Sequence, residues 1–280
     1  MLSYRHGFHA GNFADVLKHL VIDRILAHLV AKPKPFFCLD THAGAGVYEL
    51  SSPHARKNRE YEGGIGLLWD RTDLPEPVAA YVAAVRRLNA SGELRRYPGS
   101  PFFERLWLRH GDRLVLHELH PADVAALLAF AGDDHRIQVA REDGFAACVR
   151  KLPPPERRGL IVMDPSYEIK TDYRHAPQTL LRAWRKFPTG IFALWYPVIE
   201  RRRVNSMESV LRASGIPRIH LFELGVKRDA AGGMTGSGMV VINPPWTLES
   251  SMAQSLPWLA DVLGNGGEGY HRQYRLSGEV

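Results

Sequence analysis

Cysteine is scarce. Only Cys38 and Cys148 occur in 280 residues, each inside an apolar-rich segment, so a disulfide framework is excluded and the pair reads as buried thiols of a reducing compartment. His6 and His9 have no Cys or carboxylate beside them at ligand spacing, and no resident metal is expected. Long apolar runs are also missing. Nothing approaches the roughly 18 consecutive apolar residues of a membrane span, and His6, His9 and Asp15 interrupt the N-terminus where a signal peptide needs an unbroken apolar core. A cytoplasmic protein with no membrane partner is expected. There is no internal repeat, and no heptad seam or long apolar edge argues for self-association, so a monomer is expected. What the chain does have is 45% hydrophobic residues, enough for a sizeable core. Its 36 Lys+Arg against 30 Asp+Glu give a formal charge of +6, which suits a polyanionic partner.

One stretch organises the rest. Gly159, Leu160, Ile161, Val162 and Met163 run straight into Asp164-Pro165-Ser166-Tyr167, the pattern of a buried parallel strand that delivers functional groups at its carboxyl end. A carboxylate, a proline that fixes the backbone and an aromatic ring able to stack on a base would together suit methylation of a purine amine. An ordinary capped turn has the same composition, so the stretch needs partners elsewhere. Phe36 to Asp40 is a second such strand, and it ends in Thr41-His42-Ala43-Gly44-Ala45-Gly46, whose glycines permit a tight turn and close approach of a nucleotide-type ligand.

Between and around these strands the periodicity predicts an α/β chain. Residues 1–12 form an arm, and an amphipathic helix runs from Phe13 to Ala31 with Asn12 as its cap. Residues 48–98 read as a separate inserted helical unit, with Pro75 and Pro77 as breaks and with Arg56, Lys57, Arg59, Arg86, Arg87, Arg95 and Arg96 scattered through it. Those bases either face solvent or track a phosphate backbone. From residue 99 strands and helices alternate: strands Arg113 to Glu118, Ile137 to Ala140, Gly190 to Trp195, Ile219 to Leu224 and Gly238 to Ile242, and helices through Leu108, 123–130, 145–151, 177–187 and 204–213. This rhythm implies a mostly parallel sheet with helices on both faces and an antiparallel hairpin at one edge. Residues 266–280 are polar and expected to be a flexible tail.

Four acids, Asp40, Glu118, Asp143 and Asp164, fall at or just after strand ends and would share one crevice if those strands are neighbours. Glu118 suits a ribose diol, Asp143 an adenine amine with Gly144 allowing close approach, and Asp164 is left for the reaction. Glu118 follows Gly46 at far more than the usual spacing of about 20 residues, which requires 48–98 to be an insertion. A rival corner, Asn243-Pro244-Pro245-Trp246, follows a later strand and is either a second amine-holding motif or a plain turn. His19, in mid-helix, reads by pattern as an ordinary half-buried histidine.

The opening Met1 to His6, Ala10-Gly11-Asn12 with Ala14 to His19, Asp40 to Gly46, Tyr97 to Pro101 and Ala193 to Pro197 together resemble the RlmJ family, from residue 1 to about residue 260. Its members are bacterial S-adenosylmethionine-dependent methyltransferases acting on N6 of one adenine in 23S ribosomal RNA. The resemblance implies a Rossmann-like class I methyltransferase domain over 1–47 and 99–265, interrupted by the helical subdomain 48–98. It implies that His19, His42, Ser100, Glu118, Asp143, Gly144 and Asp164 contact the methyl donor. Asp164 would also be catalytic with the Pro165 carbonyl and a stacking Tyr167, and Tyr4 would meet the RNA. The family's corner is usually Asp-Pro-Pro-Tyr; Ser166 departs from it. The expected substrate is 23S RNA, protein-free or in an early assembly intermediate. A DNA adenine methyltransferase, an NAD-dependent dehydrogenase and a non-catalytic RNA-binding protein are the competing classes.

Overall fold

The computed structural model describes residues 5–229 and 232–277; Tyr4 lies outside them. After a short helical turn at His6–Phe8, Asn12 starts α1 (Phe13–Val30), its Oδ1 accepting from the Ala14 and Asp15 N–H groups at 3.0 Å each. There follow β1 (Phe37–Asp40), β2 (Val47–Glu49), α2 (Pro53–Asn58), α3 (Ile65–Leu68), α4 (Glu76–Arg87), β3 (Arg96–Pro98) and α5 (Ser100–Trp107). The α/β alternation is β4 (Arg113–His117), α6 (Pro121–Ala131), β5 (Ile137–Ala140), α7 (Gly144–Lys151), β6 (Gly159–Met163), α8 (Asp172–Lys186), β7 (Ile191–Val198) and α9 (Arg201–Arg212). β8 (Ile219–Gly225), β9 (Gly236–Ile242), α10 (Trp246–Leu263) and β10 (Tyr270–Arg275) close the chain.

The main sheet has the order β10-β8-β9-β7-β6-β1-β4-β5. β5, β4, β1, β6 and β7 run parallel, and β9, β8 and β10 add antiparallel pairs at one side. The fold is therefore mixed α/β, Rossmann-like, with a large, mostly parallel sheet. β6 pairs with β1, so the Asp164 corner and the glycine loop emerge side by side.

Four expectations are corrected. α1 is buried on nearly all sides rather than amphipathic, because the sheet lies on one flank and α4, α5 and α10 cover the others. Residues 48–98 are not a separate packed unit: Ile65, Leu68, Val78, Tyr81, Val82 and Val85 are fully buried in the same cluster as Leu17, Leu20 and Ile25 of α1. The polar tail is not frayed over 270–275. β10 pairs with β8 from Tyr270↔Gly225 to Arg275↔His220, and its charges are paired with acids: Arg272 Nη1 lies 3.2 Å from the fully buried Glu223 and 3.1 Å from Glu208. Pro77, expected as a break, sits in the first turn of α4, and the helix expected over 177–187 begins earlier, at Asp172, with Pro177 inside it.

Candidate active site

A cleft of about 300 Å³ opens outside the carboxyl ends of β1, β4, β5 and β6. The chain builds outward from β1 through β4 and β5, then returns to β1's other side as β6. Such a reversal of strand order leaves a crevice between the diverging loops. Thr41 to Gly44, Glu118 to His120, Asp143 to Phe145 and Asp164 to Ser166 supply its walls, and His19 and Ser100 close it from α1 and α5.

Each wall residue is held by the backbone around it. Glu118 accepts from Gly44 N at 2.9 Å through Oε2, and from Leu119 N and His120 N at 2.7 and 2.8 Å through Oε1, which ties the second strand's acid to the glycine loop. Asp143 caps α7 through Oδ1 alone, accepting from Phe145 N at 2.9 Å, and this leaves Oδ2 without a partner among the described residues. Gly144 is required for a different reason from ligand approach: a Cβ there would stand 1.9 Å from the Thr41 carbonyl oxygen, so the glycine lets two loops of the protein meet. His42 is half-buried beside Phe145, and desolvation depresses its imidazole to about 4 against the pull of Asp164 and Asp143, so it is neutral at pH 7. His19 stacks on Phe103 with centroids 4.9 Å apart and shares a 2.8 Å hydrogen bond between Nδ1 and the Tyr97 hydroxyl. Burial holds it well below the usual histidine range.

Asp40 is the exception among the four acids. It is fully buried beneath the cleft, accepting from Ser100 Oγ at 2.6 Å and His42 N at 3.0 Å, and burial lifts its carboxyl to about 7 in spite of those donors. It orients Ser100 and the His42 loop instead of facing a ligand. Tyr167 also departs from expectation. Its side chain is 5% exposed, its hydroxyl donates to the Trp195 carbonyl at 2.7 Å, and its ring packs on Tyr173 at 4.7 Å. Its backbone has φ +52°, which turns the side chain into the core while Pro165 and Ser166 line the cleft. A base-stacking role is therefore not what this conformation offers. The rival corner is at the other end of the sheet. β9 runs antiparallel to β7, and Asn243 Nδ2 donates to the Pro188 and Gly190 carbonyls at 2.7 and 2.8 Å, making it a strand-ending turn.

A cation completes the centre. Lys18 of α1, almost wholly buried, places Nζ 2.6 Å from Asp164 Oδ2 and 2.7 Å from Asp15 Oδ1. Asp15 Oδ2 in turn meets His6 Nε2 and accepts from Gly11 N, each at 2.9 Å. Burial opposes the charge on Lys18, but Asp15 and Asp164 outweigh it and raise the ammonium above its usual range; burial likewise opposes Asp15, whose cationic neighbours hold it well below the usual carboxylate range. The run His6–Asp15–Lys18–Asp164 thus joins the N-terminal arm to the Asp164 corner. Asp15 and Lys18 stand one helical turn apart in the first half of a largely apolar helix, and that pairing was the available signal. Among the described residues no group of three His, Cys, Asp or Glu side chains gathers as metal ligands, and no helix is long and apolar enough to cross a membrane.

Residues 33–276 match the model of the family described as ribosomal RNA large subunit methyltransferase D, RlmJ. The chain belongs to the RlmJ family. Two relatives are both named ribosomal RNA large subunit methyltransferase J. The Escherichia coli (strain K12) protein is 51% identical over 96% of this chain and 97% of its own length, and the Haemophilus influenzae one is 49% identical over 96% of each. A crystal structure of a Legionella pneumophila protein superposes with a TM-score of 0.89 at 38% identity, covering 95% of this RlmJ-family chain and 98% of that one.

Proposed function

We propose that this RlmJ-family protein transfers a methyl group from S-adenosylmethionine to N6 of a specific adenine in 23S ribosomal RNA. The observation that carries the reading is the Asp164-Pro165 corner in the wall of the cleft, its carboxylate fixed through Oδ2 by a buried lysine. An aromatic amine's lone pair is delocalised into its ring, so nucleophilicity needs acceptors for both N–H groups. Asp164 Oδ1 and the Pro165 carbonyl are the pair for that task, and they stabilise the positive charge that develops on nitrogen. Lys18 holds the carboxylate in place through a charge-assisted hydrogen bond at 2.6 Å. No metal is needed for such a step.

The chemistry of the cleft fits the donor. Asp143 Oδ2 is an open acceptor for an adenine amine, Glu118 has lone pairs left for a ribose diol, and His19, His42, Ser100 and Gly144 complete the wall. When bound, S-adenosylmethionine supplies an electrophilic methyl on a sulfonium that is already a good leaving group. Neutral His42 and His19 add no charge to repel that cation. The natural substrate is protein-free 23S RNA or an early assembly intermediate in the cytoplasm, and the protein acts as a monomer, with Tyr4 meeting the RNA.

The test is a transfer assay with S-adenosylmethionine and 23S RNA lacking its native modifications, followed by digestion and mass analysis of nucleosides. N6-methyladenosine is expected. Transfer to DNA alone, or to a different atom, overturns the reading. Asp164→Ala is expected to abolish turnover while retaining most donor affinity by calorimetry; a fully active variant would remove Asp164 from the centre.

A further inference from the structure

The cations along the cleft rims are compensated unequally. On the rim beyond Pro165 and Ser166, Arg203 is paired with Glu200 at 2.9 Å and Lys170 approaches the same carboxylate at 3.9 Å. A second opening, between α9 and β10, is lined by Arg201 and Arg272, but Glu223, Asp229 and Glu208 already occupy their guanidinium groups. The opposite rim differs. There Ser52 caps α2, accepting from Ala55 N at 3.2 Å, and Ala55 packs into the core, so Arg56 and Lys57 point outward and are exposed. The acids around them are already paired: Glu60 with His9 and Asn12, Glu62 with Arg59, and Glu49 with Arg96. Arg56 and Lys57 form no ion pair among the described residues.

Aromatic rings connect this pair to the cleft. His6 and Tyr48 both line the cleft, with ring centroids 5.1 Å apart. Next to them, Phe8 meets His54 of α2 edge-on at 4.6 Å, and Lys57 Nζ lies 5.7 Å from the Phe8 ring centroid. Rings interleaved with uncompensated cations suit an unpaired RNA strand, because every base has a face to stack and every linkage a phosphate to pair. Resting on the methyltransferase reading above, we propose that α2 and Phe8 receive the RNA strand adjoining the target adenosine. Arg56 and Lys57 engage two of its phosphates, and the Phe8–His54 pair supports a neighbouring base.

The experiment measures binding of unmodified 23S transcript by fluorescence anisotropy, without donor, over a range of salt, using the full chain. For R56Q/K57Q we expect roughly tenfold weaker binding at physiological salt. The slope of log affinity against log salt should fall by about 1.5, since each phosphate contact contributes about 0.7 to 0.9. F8A should weaken binding roughly tenfold, within the range for one stacked base. Donor affinity serves as the check on folding and should not change. K170Q/R203Q on the opposite rim should bind RNA as the wild type does. Unchanged affinity and slope in R56Q/K57Q overturn the proposal, as does a loss found in K170Q/R203Q instead. Failure of the methyltransferase reading is separable: it appears as absent transfer by wild-type protein, whereas this surface is read from binding alone.

Discussion

Lys18 carries the largest single-residue consequence. Its ammonium is sandwiched between Asp15 and Asp164 with both contacts under 3 Å, and all three groups are largely removed from water. Removing one partner from such a set strands the remaining charges. Lys18→Met is therefore expected to lose about 3 kcal/mol of stability. Its transfer rate should fall by about 10² to 10³, the scale of one preorganised electrostatic group. Thermal unfolding and single-turnover transfer measure the two effects, and a variant with normal turnover would show that Asp164 needs no cation. Tyr167 makes the opposite kind of prediction. With its ring between Tyr173 and Trp195 and its hydroxyl on a carbonyl, Tyr167→Leu should cost about 2 to 4 kcal/mol as a core truncation. The KM for RNA should hold; a raised KM at unchanged stability would restore base stacking to this ring.

Among the elements, β10 is the one whose importance the sequence hides. A strand reading Tyr-His-Arg-Gln-Tyr-Arg has no apolar alternation, yet it covers the edge of β8, which would otherwise expose unpaired backbone groups. What holds it is charge: Arg272 reaches Glu223 and Glu208, and Arg201 reaches Glu223 from α9. Arg272→Ala leaves Glu223 to Arg201 and the Tyr196 hydroxyl, and a loss of about 2 kcal/mol is expected, less than for a wholly buried pair because Arg272 is partly exposed. Denaturant unfolding followed by far-UV circular dichroism reads the change, and hydrogen exchange should place the loosening in 270–275. Equal protection in the variant would mean that backbone pairing alone secures the strand.

For the whole molecule, Asp40 ties stability to pH. Its carboxyl is lifted to about 7 in the folded state and lies near 4 when unfolded. Between those values the folded protein holds a proton that the unfolded chain has released. This contribution is therefore complete below about pH 4, declines as pH rises, and is gone above about pH 7. A span of about three units corresponds to at most roughly 4 kcal/mol. Asp40→Asn keeps an acceptor for His42 N and turns its amide nitrogen, a donor, towards Ser100 Oγ, without the titration, so its advantage over wild type should grow from pH 5 to pH 8 in thermal melts. Parallel pH dependences in the two proteins would exclude Asp40 as the source.

The α/β rhythm, the strand leading to Asp164 and the Asn12 cap were legible because each depends on a local pattern: a short apolar run closed by a turn, or a side chain beside the N–H groups it satisfies. Glu118 and Asp143 were legible for the same reason, as acids at strand ends. The sequence alone thus determined most of the element types, though not β2, β3 or β10, and most of the cleft's walls. Strand order and direction, the cover over a polar edge and the orientation of a corner residue depend on contacts between distant segments. Only the tertiary structure decided that Asp40 lies beneath the cleft, that Asn243 turns at the far end, and that Tyr167 faces inward. It also decided that Lys18 meets an aspartate 146 positions away. The physical reason is that a buried charge acquires its meaning from its partners, and partners brought together by packing leave no spacing to read.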